Sequence, residues 1–150
     1  MEVCLVEPRI PPNTGNIARL CAALDIPLHL IEPLGFEITD KALKRAGLDY
    51  WPLVQLHRHT SLDACLIRFS KDEMFFFSVH AGQSLWEARF SRKSLLIFGS
   101  ETSGLPRSLV DRYPDRFYRI PILDRGVRSL NLSSAVAVAV YEALRQAAPP

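Results

Sequence analysis

Two runs in this chain, Met74-Phe75-Phe76-Phe77 and Leu95-Leu96-Ile97-Phe98, are apolar at every position. A strand with one wet face alternates apolar and polar residues. A strand apolar on both faces has to be covered on both, as in parallel sheets with helices packed above and below. Similar short apolar runs predict strands over 3–7, 28–32, 53–57, 74–79, 95–98 and 118–122. Helix-like stretches fall over 14–24, 40–46, 61–69, 106–112 and 131–147. The alternation predicts an α/β fold: a mostly parallel sheet with helices on both faces, in a single domain over 1–150. Ligands of such sheets bind beyond the carboxyl ends of the strands.

The last segment tests that reading, because Ala135-Val136-Ala137-Val138-Ala139-Val140 alternates like a strand. Ser and Asn cap residues precede it, and Tyr141-Glu142-Ala143-Leu144-Arg145-Gln146-Ala147 continues it with helix formers, so one long helix is expected. A helix apolar nearly all round has to be covered on more than one face. A second copy of the chain is the expected cover, which makes the protein a homodimer.

A chain of 150 residues can bury roughly 68–70% of its unfolded surface and needs neither metal nor disulfide for stability. Cys4, Cys21 and Cys65 form no Cys-x-x-Cys pair and lie in apolar stretches, as buried free thiols of a reducing compartment do. The N-terminus lacks a basic leader, and no apolar run approaches the roughly 20 residues that span a bilayer, so no membrane partner and a cytoplasmic location are expected. The net charge of +2 does not announce a nucleic-acid partner. Its distribution says more: residues 76–150 carry 10 Lys/Arg against 6 Asp/Glu, and all those cations but Lys93 are arginines. Arginine pairs bidentately with phosphate and stacks on bases, so this half is the better RNA surface.

Three junctions look like site material. Pro11-Pro12-Asn13-Thr14-Gly15-Asn16-Ile17-Ala18-Arg19 leads from the first strand into the first helix, with Asn13 or Thr14 as cap and Arg19 in the first or second turn. Phe98-Gly99-Ser100-Glu101-Thr102-Ser103-Gly104-Leu105-Pro106 is a Gly-x-Glu-x-x-Gly loop that brings backbone close to a ligand and offers one carboxylate. Ser129-Leu130-Asn131-Leu132-Ser133-Ser134 opens the last helix with more polar residues than capping needs, and exposed N–H groups there can bind a ligand that carries oxygens.

Several chemistries are excluded. Leu105-Pro106 stands where a phosphate loop requires Lys-Ser/Thr, and neither a Gly-x-Gly-x-x-Gly nor a His-Glu-x-x-His motif is present. His57-Arg58-His59 puts two imidazoles on one face of a strand, but without a neighbouring acidic or cysteine ligand it reads as a surface pair, and no metal is expected.

In this order, Pro-x-Asn-x-Gly-Asn-Ile-x-Arg, Phe-Gly-x-Glu-x-x-Gly-Leu-Pro, and Arg-Ile-Pro followed by Arg-Ser-Leu-Asn-Leu-Ser-x-Ala resemble the SPOUT RNA 2'-O-methyltransferases. The resemblance spans essentially the whole chain. The length, with no appended RNA-binding domain, together with Ile31-Glu32-Pro33-Leu34-Gly35-Phe36 and Arg45-Ala46-Gly47-Leu48-Asp49-Tyr50, is most similar to the minimal members that methylate wobble nucleotide 34 of tRNA, a cytidine or modified uridine.

The resemblance implies an α/β knot whose C-terminal segment threads a loop as a trefoil. It implies S-adenosyl-L-methionine as cofactor, no metal, and the tRNA anticodon stem-loop as partner. The matching cofactor-binding residues are Ser78, Val79, Gly99, Ser100, Gly104, Leu105, Ile120, Ile122, Ser129 and Leu130. The catalytic set is Arg19, Asn16, Glu101 and Asn131, with Glu101 orienting a neighbouring arginine, Ser129 and Asn131 facing ligand, and Ser133 or Ser134 left to cap the last helix. A guanidinium keeps its proton throughout the neutral range, which argues against a true base, so Arg19 is expected to bind the target phosphate or stabilise charge on the 2'-oxygen.

Arg107, Arg112, Arg116, Arg125, Arg128 and the Lys41/Lys44/Arg45 cluster are the further RNA-binding positions considered. Ser78-Val79-His80-Ala81-Gly82 lacks the lysine that relatives often carry there, and the loop Leu123-Asp124-Arg125-Gly126-Val127 looks a residue long or differently composed. The alternatives are the same chemistry on another RNA or position, and a non-catalytic RNA- or nucleotide-binding module.

Overall fold

The computed structural model describes residues 1–39, 50–124 and 126–147. Within them seven strands form one sheet: β1 (Glu2–Val6), β2 (Leu28–Ile31), β3 (Leu56–His59), β4 (Met74–Phe77), β5 (Gln83–Ser84), β6 (Leu95–Phe98) and β7 (Phe117–Arg119). Their spatial order is β3-β2-β1-β6-β4-β7-β5, and every pairing is parallel. All carboxyl ends therefore lie along one edge. From β1 the chain builds outward through β2 and β3, then returns to the other side of β1, where β6 is inserted between β1 and β4. Parallel sheets bind ligands at such a reversal of strand order.

The apolar runs are buried as expected, β2, β4 and β6 at every residue. Strand pleating sorts them into two cores. Val3, Leu5, Phe75, Phe77, Leu96 and Phe98 enter one, with Ile17, Ala18 and Cys21 of helix α1 (Pro11–Ala23) and Val136, Ala139, Val140 and Ala143 of helix α4 (Leu132–Ala147). Cys4, Val6, Phe76, Leu95 and Ile97 enter the other, with Cys65 and Leu66 of α2 (Leu62–Leu66) and Leu109 of α3 (Ser108–Arg112). Each fully buried Leu or Phe side chain contributes roughly 1.5–3 kcal/mol, so two covered faces hold the sheet far better than one.

Element boundaries differ from expectation where proline or a cap decides. Helix α1 starts at Pro11 and not at Thr14: the two prolines occupy its first turn, where no N–H is needed, and Ile10 at its head gives no side-chain cap. The strand expected over 53–57 is displaced to Leu56–His59 because Trp51–Leu53, around Pro52, forms a 3-10 turn. The ladder of β7 stops at Arg119, before Pro121, which lacks a donor. The two-residue edge strand β5 was not foreseen. The helix expected over 40–46 lies outside the described residues.

The Ala/Val segment is helical throughout, but only one of its faces enters the core; Val138 and Tyr141 are 38% and 57% exposed. All three cysteines are buried and unpaired as disulfides, and burial pushes the Cys21 thiol up to about 12.

Candidate functional site

Parallel register brings the loops after β1, β6, β4 and β7 to one edge, next to the start of α4. A chain of hydrogen bonds joins three of these segments. The Glu101 carboxylate accepts from the backbone N–H of Arg9 at 2.8 Å, from the N–H of Ile10 at 3.2 Å and from Asn13 Nδ2 at 3.1 Å. Asn13 Oδ1 in turn accepts from Asn131 Nδ2 at 2.9 Å. Asn131 Oδ1 accepts from both the N–H (2.9 Å) and the hydroxyl (2.7 Å) of Ser133. Burial pushes the Glu101 carboxyl up, but the hydrogen bonds from Arg9, Asn13 and Ile10 outweigh it and hold it below the ordinary carboxylate range.

The helix cap is therefore Asn131, not Ser133 or Ser134. Its carbonyl oxygen serves the first turn of α4 while its amide reaches the loop of the first motif. Asn13 is the residue that sequence reasoning undervalued, reading it only as a cap. It sits buried in the first turn of α1, where an amide has no local use, and that position was the available signal.

The Gly99–Gly104 loop is closed on itself. Gly104 N–H donates to Ser100 O at 2.9 Å, Ser100 Oγ lies 3.2 Å from Thr102 Oγ1, and Gly104 adopts φ +67°. A Cβ on Gly99 would stand 2.1 Å from the Gly104 carbonyl carbon, so no other residue fits there.

Ser78 follows β4, its N–H donating to Tyr118 O at 3.0 Å, and Val79 beside it is exposed. Leu105 packs on the second core and Ile120 on the first. The backbone groups of Ile120, Ile122, Ser129 and Leu130 make no hydrogen bond among the described residues, and Ser129 and Leu130 are exposed. Unpaired main-chain donors and acceptors at this edge can hydrogen-bond a polar ligand.

Arg19 and Asn16 are not tied to this network. Because α1 begins at Pro11, Arg19 falls in its third turn, about 12 Å along the axis from the start. It is exposed, with its guanidinium 5.8 Å from the centre of the Tyr50 ring, and Tyr50 is itself fixed by a 2.8 Å bond from its hydroxyl to Gly15 O. Asn16, one turn earlier on the same side, is also exposed. Glu101 holds the backbone of Arg9 and Ile10 rather than an arginine side chain; the Arg9 guanidinium pairs with Glu7 at 3.3 Å.

The arginines considered for RNA divide. Arg112 pairs with Asp63 at 2.5 Å, and Arg116 donates to Met74 O (2.8 Å) and Asp72 O (2.6 Å), so both are engaged in structure. Arg107 and Arg128 are exposed and unpaired among the described residues. Arg125 and the Lys41/Lys44/Arg45 cluster lie outside those residues. An open cavity of about 390 Å³ lies elsewhere, lined by Glu32, Phe36, Ile38 and Arg58, and includes none of the expected cofactor residues.

The chain is similar to known proteins over nearly its whole length. Residues 1–141 match the SpoU rRNA Methylase family. A tRNA (cytidine(34)-2'-O)-methyltransferase of Burkholderia pseudomallei is 47% identical over 149 residues, covering 97% of this chain and 95% of its own length. A solved structure described as giving structural insights into the 2-OH methylation of C/U34 on tRNA is 49% identical, with a TM-score of 0.88 and coverage of 97% and 94%. The fold also matches the SpoU methyltransferase AviRb from Streptomyces viridochromogenes, solved in complex with the cofactor AdoMet, at 23% identity and a TM-score of 0.79, over 97% of this chain and 57% of that one.

Proposed function

The chain belongs to the SpoU rRNA Methylase family, and from that premise we propose that it transfers a methyl group from S-adenosyl-L-methionine to the ribose 2'-hydroxyl of nucleotide 34 of tRNA, a cytidine or modified uridine. The observation that carries this reading is the Glu101–Asn13–Asn131 chain of hydrogen bonds, which assembles the three sequence motifs at the carboxyl edge of the sheet. Relatives from Burkholderia pseudomallei and Acidovorax, 47% and 46% identical over 95% and 91% of their own length, act by name on cytidine 34 of tRNA, which supports the choice of nucleotide.

The cofactor supplies an electrophilic methyl on a sulfonium. The residues present fit it: the free main-chain groups of Ile120, Ile122, Ser129 and Leu130 would hold its adenine and ribose, with Gly99, Ser100, Gly104 and Leu105 on one side and Ser78 and Val79 on the other. Glu101 and Asn131 keep these loops in place. In-line attack needs the 2'-oxygen about 3 Å from the methyl carbon, so positioning supplies much of the rate. Arg19, with Asn16 one turn away, binds the target phosphate or stabilises charge developing on the 2'-oxygen. Arg107 and Arg128 add phosphate contacts.

The same reading includes a C-terminal trefoil knot, a single domain, a cytoplasmic location and a homodimer in which the outward Val138 and Tyr141 of α4 are covered. No described helix is long and apolar enough to cross a membrane. A monomeric mass by light scattering at micromolar concentration contradicts the dimer.

The activity is tested by transfer of tritium from labelled S-adenosyl-L-methionine into total tRNA, followed by mapping of the modified nucleotide. Label in the ribose of position 34 is the expected result. Label elsewhere overturns the choice of nucleotide, and no transfer despite measurable cofactor binding overturns the enzyme.

A further inference from the structure

On the face of the sheet opposite α1 and α4 lies a cluster that methyl transfer does not use. His29 of β2 is completely buried between its register partners Cys4 and His57. A buried imidazole needs a partner for each nitrogen. Nε2 lies 2.5 Å from Glu2 Oε2, and Nδ1 lies 2.9 Å from Nε2 of His59, at the end of edge strand β3. With Glu2 accepting at Nε2, the neutral imidazole carries its proton there and offers its Nδ1 lone pair toward His59. Helix α2 then brings Cys65 down onto the pair, and ligand atoms of His29, His59 and Cys65 all lie within 4.8 Å of one another.

We propose that His29 Nδ1, His59 Nε2 and Cys65 Sγ form a binding site for one zinc-class divalent cation, with Glu2 as the carboxylate that fixes His29. Two imidazoles and a thiolate are a borderline-soft donor set that suits zinc and its analogue cobalt(II). A carboxylate on the far nitrogen of a ligating histidine is the usual outer partner in such sites, fixing the tautomer and ring orientation. Metal–ligand bonds of about 2.0–2.3 Å place tetrahedral ligand atoms roughly 3.3–3.8 Å apart, so Cys65 has to close in from within 4.8 Å while His59 retreats from His29 by only a few tenths of an ångström. It is half-buried on the edge strand and free to do so.

Cys65 binds as the thiolate, any proton on Sγ leaving to solvent, and His59 carries its proton on Nδ1, leaving the Nε2 lone pair for the metal. Water entering beside His59 takes the fourth position. The ligands come from β2, β3 and α2, so the ion staples the edge strand and the short helix to the sheet.

His57 is not a ligand. Its exposed ring stacks on His29 with centroids 4.9 Å apart. The sequence set the His57/His59 pair aside for want of an acidic or cysteine neighbour, and folding supplies both, Cys65 from the helix that follows β3 and Glu2 from β1.

The test uses the full chain, reduced, stripped with chelator and titrated with cobalt(II) and then zinc. One equivalent of cobalt should give a thiolate-to-metal band in the near ultraviolet and intense tetrahedral visible bands, both erased by zinc. Cys65→Ser should lose the near-ultraviolet band, and His59→Ala, with its fold checked by circular dichroism, should weaken binding more than tenfold. Glu2→Gln should weaken it about 10–100-fold, and His57→Ala should leave it unchanged. The absence of a stoichiometric cobalt spectrum in the unaltered chain overturns the site, as does a spectrum that survives both His59→Ala and Cys65→Ser in chains whose circular dichroism is native.

Discussion

Asn131 donates from Nδ2 to Asn13 Oδ1 at 2.9 Å across 118 positions of sequence, and this one bond ties the start of the last helix to the first turn of the first. Both amides are used at each end: Asn13 also serves Glu101, and Asn131 also caps α4. Asn131→Ala removes a cap and a network partner together and should cost about 1–3 kcal/mol, and Asn13→Ala a similar amount. Because the two share a bond, the double variant should cost less than the sum of the singles by about 0.5–1.5 kcal/mol. Urea denaturation of the four proteins checks this, and strict additivity would show that the bond carries no coupling.

Gly99 lies so close to Gly104 and Leu105 that a methyl group cannot be placed on it without moving backbone, since the nearest atom would be 2.1 Å away. Gly99→Ala should therefore open the loop after β6. Cofactor affinity measured by calorimetry should fall more than tenfold, whereas Gly104→Ala meets open space and pays only for its φ of +67°, about 1–2 kcal/mol of stability.

How far the sequence anticipated these features follows from the range of the interactions. The continuous apolar runs of β4 and β6 demanded cover on both faces, and both faces are covered, so the parallel α/β class was legible from side chains alone. The strand order was not, because the insertion of β6 between β1 and β4 leaves no local trace. In the site, Glu101 and Asn131 stood out as polar residues in glycine- and serine-rich junctions. Their actual partners were hidden: Asn13 looked like a cap, and the Arg9 and Ile10 N–H groups that Glu101 accepts from are backbone, which sequence cannot distinguish. The position of Arg19 went astray for a local reason, since reading Pro11-Pro12 as an approach rather than a first turn moved it up the helix.

Arg19 in the third turn of α1 is exposed and braced by the Tyr50 ring. Arg19→Ala should nearly abolish methyl transfer to tRNA while leaving S-adenosyl-L-methionine affinity almost intact. Arg19→Lys keeps the charge but loses the fork that grips phosphate bidentately, and should recover only part of the rate. Tyr50→Phe removes the bond to Gly15 O and the brace's anchor, costing about 1 kcal/mol in stability. Normal turnover in Arg19→Ala removes this arginine from the mechanism.

Glu101 connects the site to pH. Its carboxyl is held below the ordinary range, so the folded chain favours the ionised form more than the unfolded chain does. The sign follows: this stabilisation is complete above the unfolded carboxylate pKa of about 4.3 and is lost as pH falls through the lower, folded value. Asn13→Asp replaces the amide that donates to Glu101 at 3.1 Å with a second carboxylate. At neutral pH two like charges then share one site, and the variant should be less stable than the parent by about 1–3 kcal/mol. As pH falls one carboxyl takes up a proton and becomes a donor again, so the deficit should shrink steadily toward about pH 4. Denaturant midpoints of the two proteins measured across that interval test the assignment; a deficit independent of pH would mean that the introduced carboxylate and Glu101 do not meet.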